Sequence, residues 1–102
     1  MTDAEINLAI AKLEYPDYKI KSWIGRAAVV PAGHPSIRGI DYREWCWIGP
    51  IIEREEIHLR HVVNSWEATI YPDDAVMYFE GEAETPTKAA ALCYLKMKGV
   101  QL

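Results

Sequence analysis

Residues 57–71 constrain the fold more than any other stretch of the chain. Residues 57–63 alternate apolar and polar side chains, Asn64-Ser65 supplies a turn, and a second alternating run follows. In that second run Trp66, Ala68 and Ile70 fall on one side, while Glu67, Thr69 and Tyr71 fall on the other. A period of two places successive side chains on opposite faces of a strand, and so short a connection makes the two strands antiparallel. "PDD" at 72–74 turns the chain again into "AVMYFEG" at 75–81, which predicts a three-stranded antiparallel meander with one apolar face.

An apolar sheet face needs a cover, and the flanks supply helices. Thr85 caps a helix with Pro86 at its first position, and the helix runs through "TKAAALCYLKMK" to Gly99. Its face of Ala89, Ala90, Cys93, Tyr94 and Met97 is predicted to pack on the sheet. At the other end, Thr2 and Glu5 form a capping box, and helical periodicity continues to Tyr15, where Pro16 stops it. This helix has two apolar stripes. Ile6, Ala9, Ile10 and Leu13 are assigned to the core, and Ala4, Leu8, Ala11 and Tyr15 form the second stripe. Residues 18–24 read as a strand, Gly25 as a bend, and a short second strand extends to Val30. Residues 31–47 lack a period and read as a long ordered loop, in which Trp45 and Trp47 either cover a core edge, the favoured reading, or stand exposed for recognition. The fold class is therefore α+β. A small antiparallel sheet, the meander plus one or two N-terminal strands, is packed by N-terminal and C-terminal helices in a single domain over residues 1–102.

Of the 102 residues, 50% are hydrophobic and 25% charged. Such a chain buries about two thirds of its unfolded surface and is expected to fold without disulfide or metal. Cys46 and Cys93 lie far apart with no C-x-x-C pairing, which suits reduced thiols in a cytoplasm. No apolar run approaches the roughly 18 residues of a membrane span, and "MTDAEINLAI" does not have the pattern of a signal peptide.

The chemistry-bearing candidates each have a structural explanation. In "IGPIIEREEI" (48–57), Pro50 suits the first position of a short helix. Glu53, Glu55 and Glu56 would then lie near its start, favoured by the dipole, with Ile51 and Ile52 as anchors. A metal would need a third converging ligand, and none can be named. His58 and His61 are three apart on a strand and point to opposite sides, and His34 stands alone in the loop. Cys93, on a packed helix face, is a small core residue. With no nucleophile-plus-base pair in view, neither catalysis nor a cofactor is expected. Residues 48–87 carry Arg54 and Arg60 against nine acidic residues, a net −7. That balance disfavours direct binding of nucleic acid and suits a basic partner.

"DYREWCWIGPIIEREEI" (41–57), "SWEATI" (65–70) and "TPTKAAALCYLKMKG" (85–99) together resemble the NinX-like domain of tailed phages and prophages of enteric bacteria. Gly49, Pro50, Ile51, Ile52, Glu53, Ile57, Trp66, Ala68, Pro86, Ala89 and Ala90 match its pattern, and "TDAEINLAIAKLE" is similar to its opening helix. Residues 18–40 fall outside the pattern. Leu92-Cys93-Tyr94 departs from the Arg that relatives carry before a Cys or an aromatic. The resemblance implies a phage or prophage product in a bacterial cytoplasm, and it carries no activity to named residues.

The expected function is non-catalytic binding to a host or phage protein, such as a component of anti-phage defence. Leu8 and Tyr15 on the second helix stripe, with Tyr42 and Trp45 in the loop, are the candidate contact residues, since aromatics are favoured anchors. One alternative is an acidic mimic of nucleic acid using Glu53, Glu55, Glu56, Asp73 and Asp74, together with Glu80, Glu82 and Glu84. Another is a small-ligand binder or enzyme built on His34 and the loop aromatics. A homodimer is compatible with these readings; a membrane partner is not expected.

Overall fold

The computed structural model describes residues 1–30, 37–72 and 78–101. Its elements run α1 (Asp3–Glu14), β1 (Lys19–Trp23), β2 (Arg26–Val30), β3 (Ile37–Ile40), α2 (Trp45–Glu55), β4 (His58–Val62), β5 (Ser65–Ile70), β6 (Phe79–Ala83) and α3 (Pro86–Met97). The fold is α+β, with a helix near each end and antiparallel sheets between them. In place of one sheet made of a meander plus N-terminal strands, the strands form two three-stranded sheets, ordered β1-β2-β3 and β4-β5-β6. The chain divides into two units, Met1–Tyr42 and Arg43–Leu102.

In the first unit the capping box of α1 closes as predicted. The Glu5 N–H donates to Thr2 Oγ1 (3.2 Å), and the Thr2 N–H donates to Glu5 Oε1 (3.1 Å). That backbone donor holds the Glu5 carboxyl below its usual range. The buried face of α1 is Ile6, Asn7, Ile10 and Ala11, so it draws on both predicted stripes and includes a polar residue between them. Ala27, Val29 and Ile40 of the sheet are fully buried. β1 and β2 pair from Lys19↔Val30 to Trp23↔Arg26. They are joined through Ile24 (φ 51°) and Gly25 (φ 74°), the positive pair that a type I′ hairpin requires. Gly25 adopts this freely. A β-branched Ile24 there is strained, and it is 83% exposed.

Asn7 organises this unit. Its Nδ2 donates to the Gly25 carbonyl (3.0 Å) and to Asp41 Oδ1 (3.4 Å), and its Oδ1 accepts the Tyr42 N–H (2.8 Å). Arg26 donates to the Gly39 carbonyl (3.0 Å) and stands 3.9 Å from the buried Asp41 carboxylate. One helix side chain thus ties α1 both to the β1–β2 turn and to the chain leaving β3.

In the second unit, α2 starts at Trp45, so β3 and the first residues of α2 occupy what the sequence suggested was a loop over 31–47. Pro50 lies inside the helix and not at its first position. Gly49 before it removes one of the clashes, that of the proline ring with a preceding Cβ, while the ring still withholds a hydrogen bond from the Cys46 carbonyl. Ile48 and Ile51, three apart, form the buried edge, and Ile52 is only half-buried. Glu53, Glu55 and Glu56 therefore lie at the carboxyl end of α2, where the dipole disfavours them, and not at its start. Glu56 ends the helix in a left-handed conformation (φ 54°), and the Ile57 N–H closes back to the Ile52 carbonyl (3.0 Å).

The meander is present: β4, β5 and β6 pair antiparallel in sequence order. Its third strand is Phe79–Ala83, later than the predicted 75–81; residues 75–77 of that stretch, and 73–74 before it, lie outside the described residues. α3 covers one face of this sheet. Thr85 Oγ1 accepts the Lys88 N–H (3.3 Å) as the predicted cap, and Ala89, Ala90, Cys93 and Tyr94 are buried, with Met97 half-buried. Approach is closest at Gly81. A Cβ built there would stand 2.5 Å from both the Ala89 carbonyl oxygen and the Cys93 nitrogen. The Cys93 thiol donates to the Phe79 carbonyl (3.2 Å), and burial pushes its pKa up to about 11. From α2, Arg54 donates to the Tyr94 hydroxyl (3.3 Å) and stands 5.9 Å from the ring centroid.

Candidate functional site: the open face of the meander

Strand alternation gives the β4-β5-β6 sheet two faces of opposite character. Ala68, Ile70, Gly81 and Ala83 belong to the face buried under α3. On the other face the register aligns His58 with Thr69 and Thr69 with Glu80, and one step along aligns Arg60 with Glu67 and Glu67 with Glu82. This open face lines a groove of about 300 Å³ between His58, Arg60, Glu67, Tyr71, Tyr78 and Glu80.

The aromatic end of the groove follows from the register. Ile70 pairs with Phe79 as the last rung of β5–β6, so Tyr71 and Tyr78 flank the connection as the next opposed pair. Their ring centroids are 5.5 Å apart, and His58 meets Tyr71 edge-on at 5.7 Å. The rings remain available: Tyr71 is 61% and Tyr78 53% exposed. At the charged end Arg60 donates to Glu67 Oε2 (2.7 Å), which raises the guanidinium pKa further, with the charges of Glu67 and Glu80 acting the same way. Ser65 Oγ donates to Glu82 Oε1 (3.0 Å). Two carboxylates, Glu67 and Glu80, thus line the groove with one guanidinium, and the groove is net negative beside an aromatic shelf.

The residues singled out from sequence are distributed differently. Tyr42 is 2% exposed and is a core residue, which removes it from the contact surface. Its N–H is held by Asn7, and the loop reading of 31–47 gave no sign of that anchor. Leu8 and Tyr15 on α1 are half-buried, and the Tyr15 ring lies 6.4 Å from that of Tyr18. Trp45, the first residue of α2, is 56% exposed. Glu53 and Glu56 are exposed, while Glu55 accepts from Arg54 Nε (3.0 Å). Asp73, Asp74 and His34 lie outside the described residues. His58 and His61 occupy opposite faces: His58 lines the groove, and the His61 ring lies 4.9 Å from Trp66.

Among the described residues no three His, Cys, Asp or Glu side chains stand together in a metal-holding arrangement, and no helix is long and apolar enough to cross a membrane. The groove was partly readable beforehand, since alternation put Glu67, Thr69 and Tyr71 outward. Tyr78 escaped notice, and Glu80 was singled out only among the acids of the mimic reading, because their placement together depends on the register of β6. A family model described as "Bacteriophage P22, NinX" matches residues 1–98. No curated protein matches the chain.

Proposed function

We propose, from the premise that the chain belongs to the NinX family of bacteriophage P22, that it is a small phage or prophage accessory protein acting in the bacterial cytoplasm. It works without catalysis, by binding a host or phage protein, for instance a component of a defence system. The observation that carries this reading is the exposed tyrosine pair, Tyr71 and Tyr78, on the face of the meander opposite α3. Tyrosines supply large, rigid contact area at low entropic cost and are enriched among the residues that dominate binding energy.

The test is capture of partners by the tagged protein from phage-infected cells. The Tyr71→Ala/Tyr78→Ala double variant should keep its circular dichroism spectrum, because exposed substitutions change stability by only about 0.5 kcal/mol. Recovery of a stoichiometric partner should fall at least roughly tenfold, the loss typical of truncated anchors. Undiminished recovery by the folded double variant would refute the assignment of this face. An acidic mimic remains the second reading, because Glu53 and Glu56 are exposed at the carboxyl end of α2, where the dipole adds partial negative charge. Glu53→Gln/Glu56→Gln would release the partner under that reading and retain it under ours.

A further inference from the structure

We infer that the groove on the open face of the meander receives an arginine-bearing segment of the partner protein, with the guanidinium stacked against Tyr71 and Tyr78 and paired to Glu80. This rests on the binding function proposed above and specifies the chemistry of what is bound.

The carboxylates on this face of the sheet are not equivalent. Arg60 engages Glu67 at 2.7 Å, and the Ser65 hydroxyl engages Glu82 at 3.0 Å. Glu80, on β6 across from Thr69, has no hydrogen-bond or ion-pair partner within the described residues and borders the tyrosines in the groove lining. A carboxylate next to two half-exposed aromatic rings is a setting that a guanidinium satisfies twice. Its planar fork matches the carboxylate, and its flat face stacks on the ring. An ammonium brings a point charge without the planar fork or the flat stacking face, and a phosphate or carboxylate ligand would meet two carboxylates against one guanidinium. The groove volume of about 300 Å³ suits one or two side chains and is too small for a folded element. The wider charge field agrees, since residues 48–87 carry nine acids against Arg54 and Arg60. An acidic field of this kind raises the encounter rate with a basic segment and lowers it for nucleic acid.

The probe is a synthetic peptide of alternating arginine and glycine, titrated into the isotope-labelled full chain and followed by amide chemical shifts. Lysine–glycine and glutamate–glycine peptides serve as comparisons. The arginine peptide should shift the amides of 58–60, 67–71 and 78–82, bind several-fold more tightly than the lysine peptide, and weaken as salt rises from about 50 to about 200 mM. The glutamate peptide should shift none of them. Glu80→Gln and Tyr71→Ala should each weaken arginine-peptide binding at least roughly fivefold, while Tyr78→Phe, which keeps the ring, should bind as wild type. Glu53→Gln removes the same net charge from α2 and should change affinity less than about twofold. If Glu53→Gln and Glu80→Gln weaken binding equally, the peptide senses only net charge and the inference falls. It falls also if the amides that shift lie elsewhere. Should cellular capture depend on Tyr71 and Tyr78 while the arginine peptide fails to bind, the binding function stands and the arginine assignment alone is overturned.

Discussion

Gly81→Ala is expected to destabilise the protein by about 3 kcal/mol, at the upper end of overpacking costs, and to lower the melting temperature by roughly 15 °C. A Cβ at this position would stand 2.5 Å from the Ala89 carbonyl oxygen and from the Cys93 nitrogen, with the Cys93 Cα at 3.1 Å. These are backbone atoms of α3, so no rotamer change relieves the clash, and the helix must lift from β6. Lifting it exposes the Ala89, Ala90, Cys93 and Tyr94 face and breaks the Cys93 thiol bond to the Phe79 carbonyl. Thermal unfolding followed by circular dichroism measures the loss. A variant that melts within a few degrees of wild type would mean that α3 does not approach the sheet so closely.

Asn7→Leu should cost nearly as much, about 3 kcal/mol, although it introduces an apolar side chain of similar size into a buried site. The substitution leaves the Tyr42 N–H without its acceptor and removes a donor from both the buried Asp41 carboxylate and the Gly25 carbonyl. Loss of a hydrogen bond to a buried group costs about 1–3 kcal/mol, and the Asp41 carboxylate, which keeps Arg26 at 3.9 Å, accounts for only part of the total. Solvent denaturation with a shifted midpoint and an unchanged slope is the expected signature. Stability equal to wild type would show that the network contributes nothing to folding.

These two positions also mark the limits of sequence reading. The meander and its covering helix were legible because local rules suffice for them. Alternation fixed β4 and β5, and Thr85-Pro86 fixed the start of α3. Gly81 reads as an ordinary strand glycine until α3 is seen against it. Asn7 interrupts an apolar stripe and looks like a solvated position, because its partner Asp41 is 34 residues away. The same non-locality hid β3, which pairs with β2 through an irregular register at Ala27 and Val29. Pro50 misplaced the start of α2, since proline prefers the first helical position but here lies inside the helix. Tyr42 does lie between elements, and it is core because its N–H is held by Asn7 across 35 residues of sequence, a contact with no local signal. The groove was half visible, with His58, Arg60, Glu67 and Tyr71 readable on one face of a hairpin. Tyr78 and Glu80 needed the β5–β6 register to join them.

The central claim is that the open face of the β4-β5-β6 sheet is where this protein meets its partner. Hydrogen–deuterium exchange on the partner complex recovered from infected cells tests it most directly, because protection is read residue by residue without any substitution. The account predicts protection at 58–60, 67–71 and 78–82, with α1 and the Trp45 end of α2 exchanging as in the free chain. Protection confined to α1 and Trp45, with the sheet face unchanged, would contradict it.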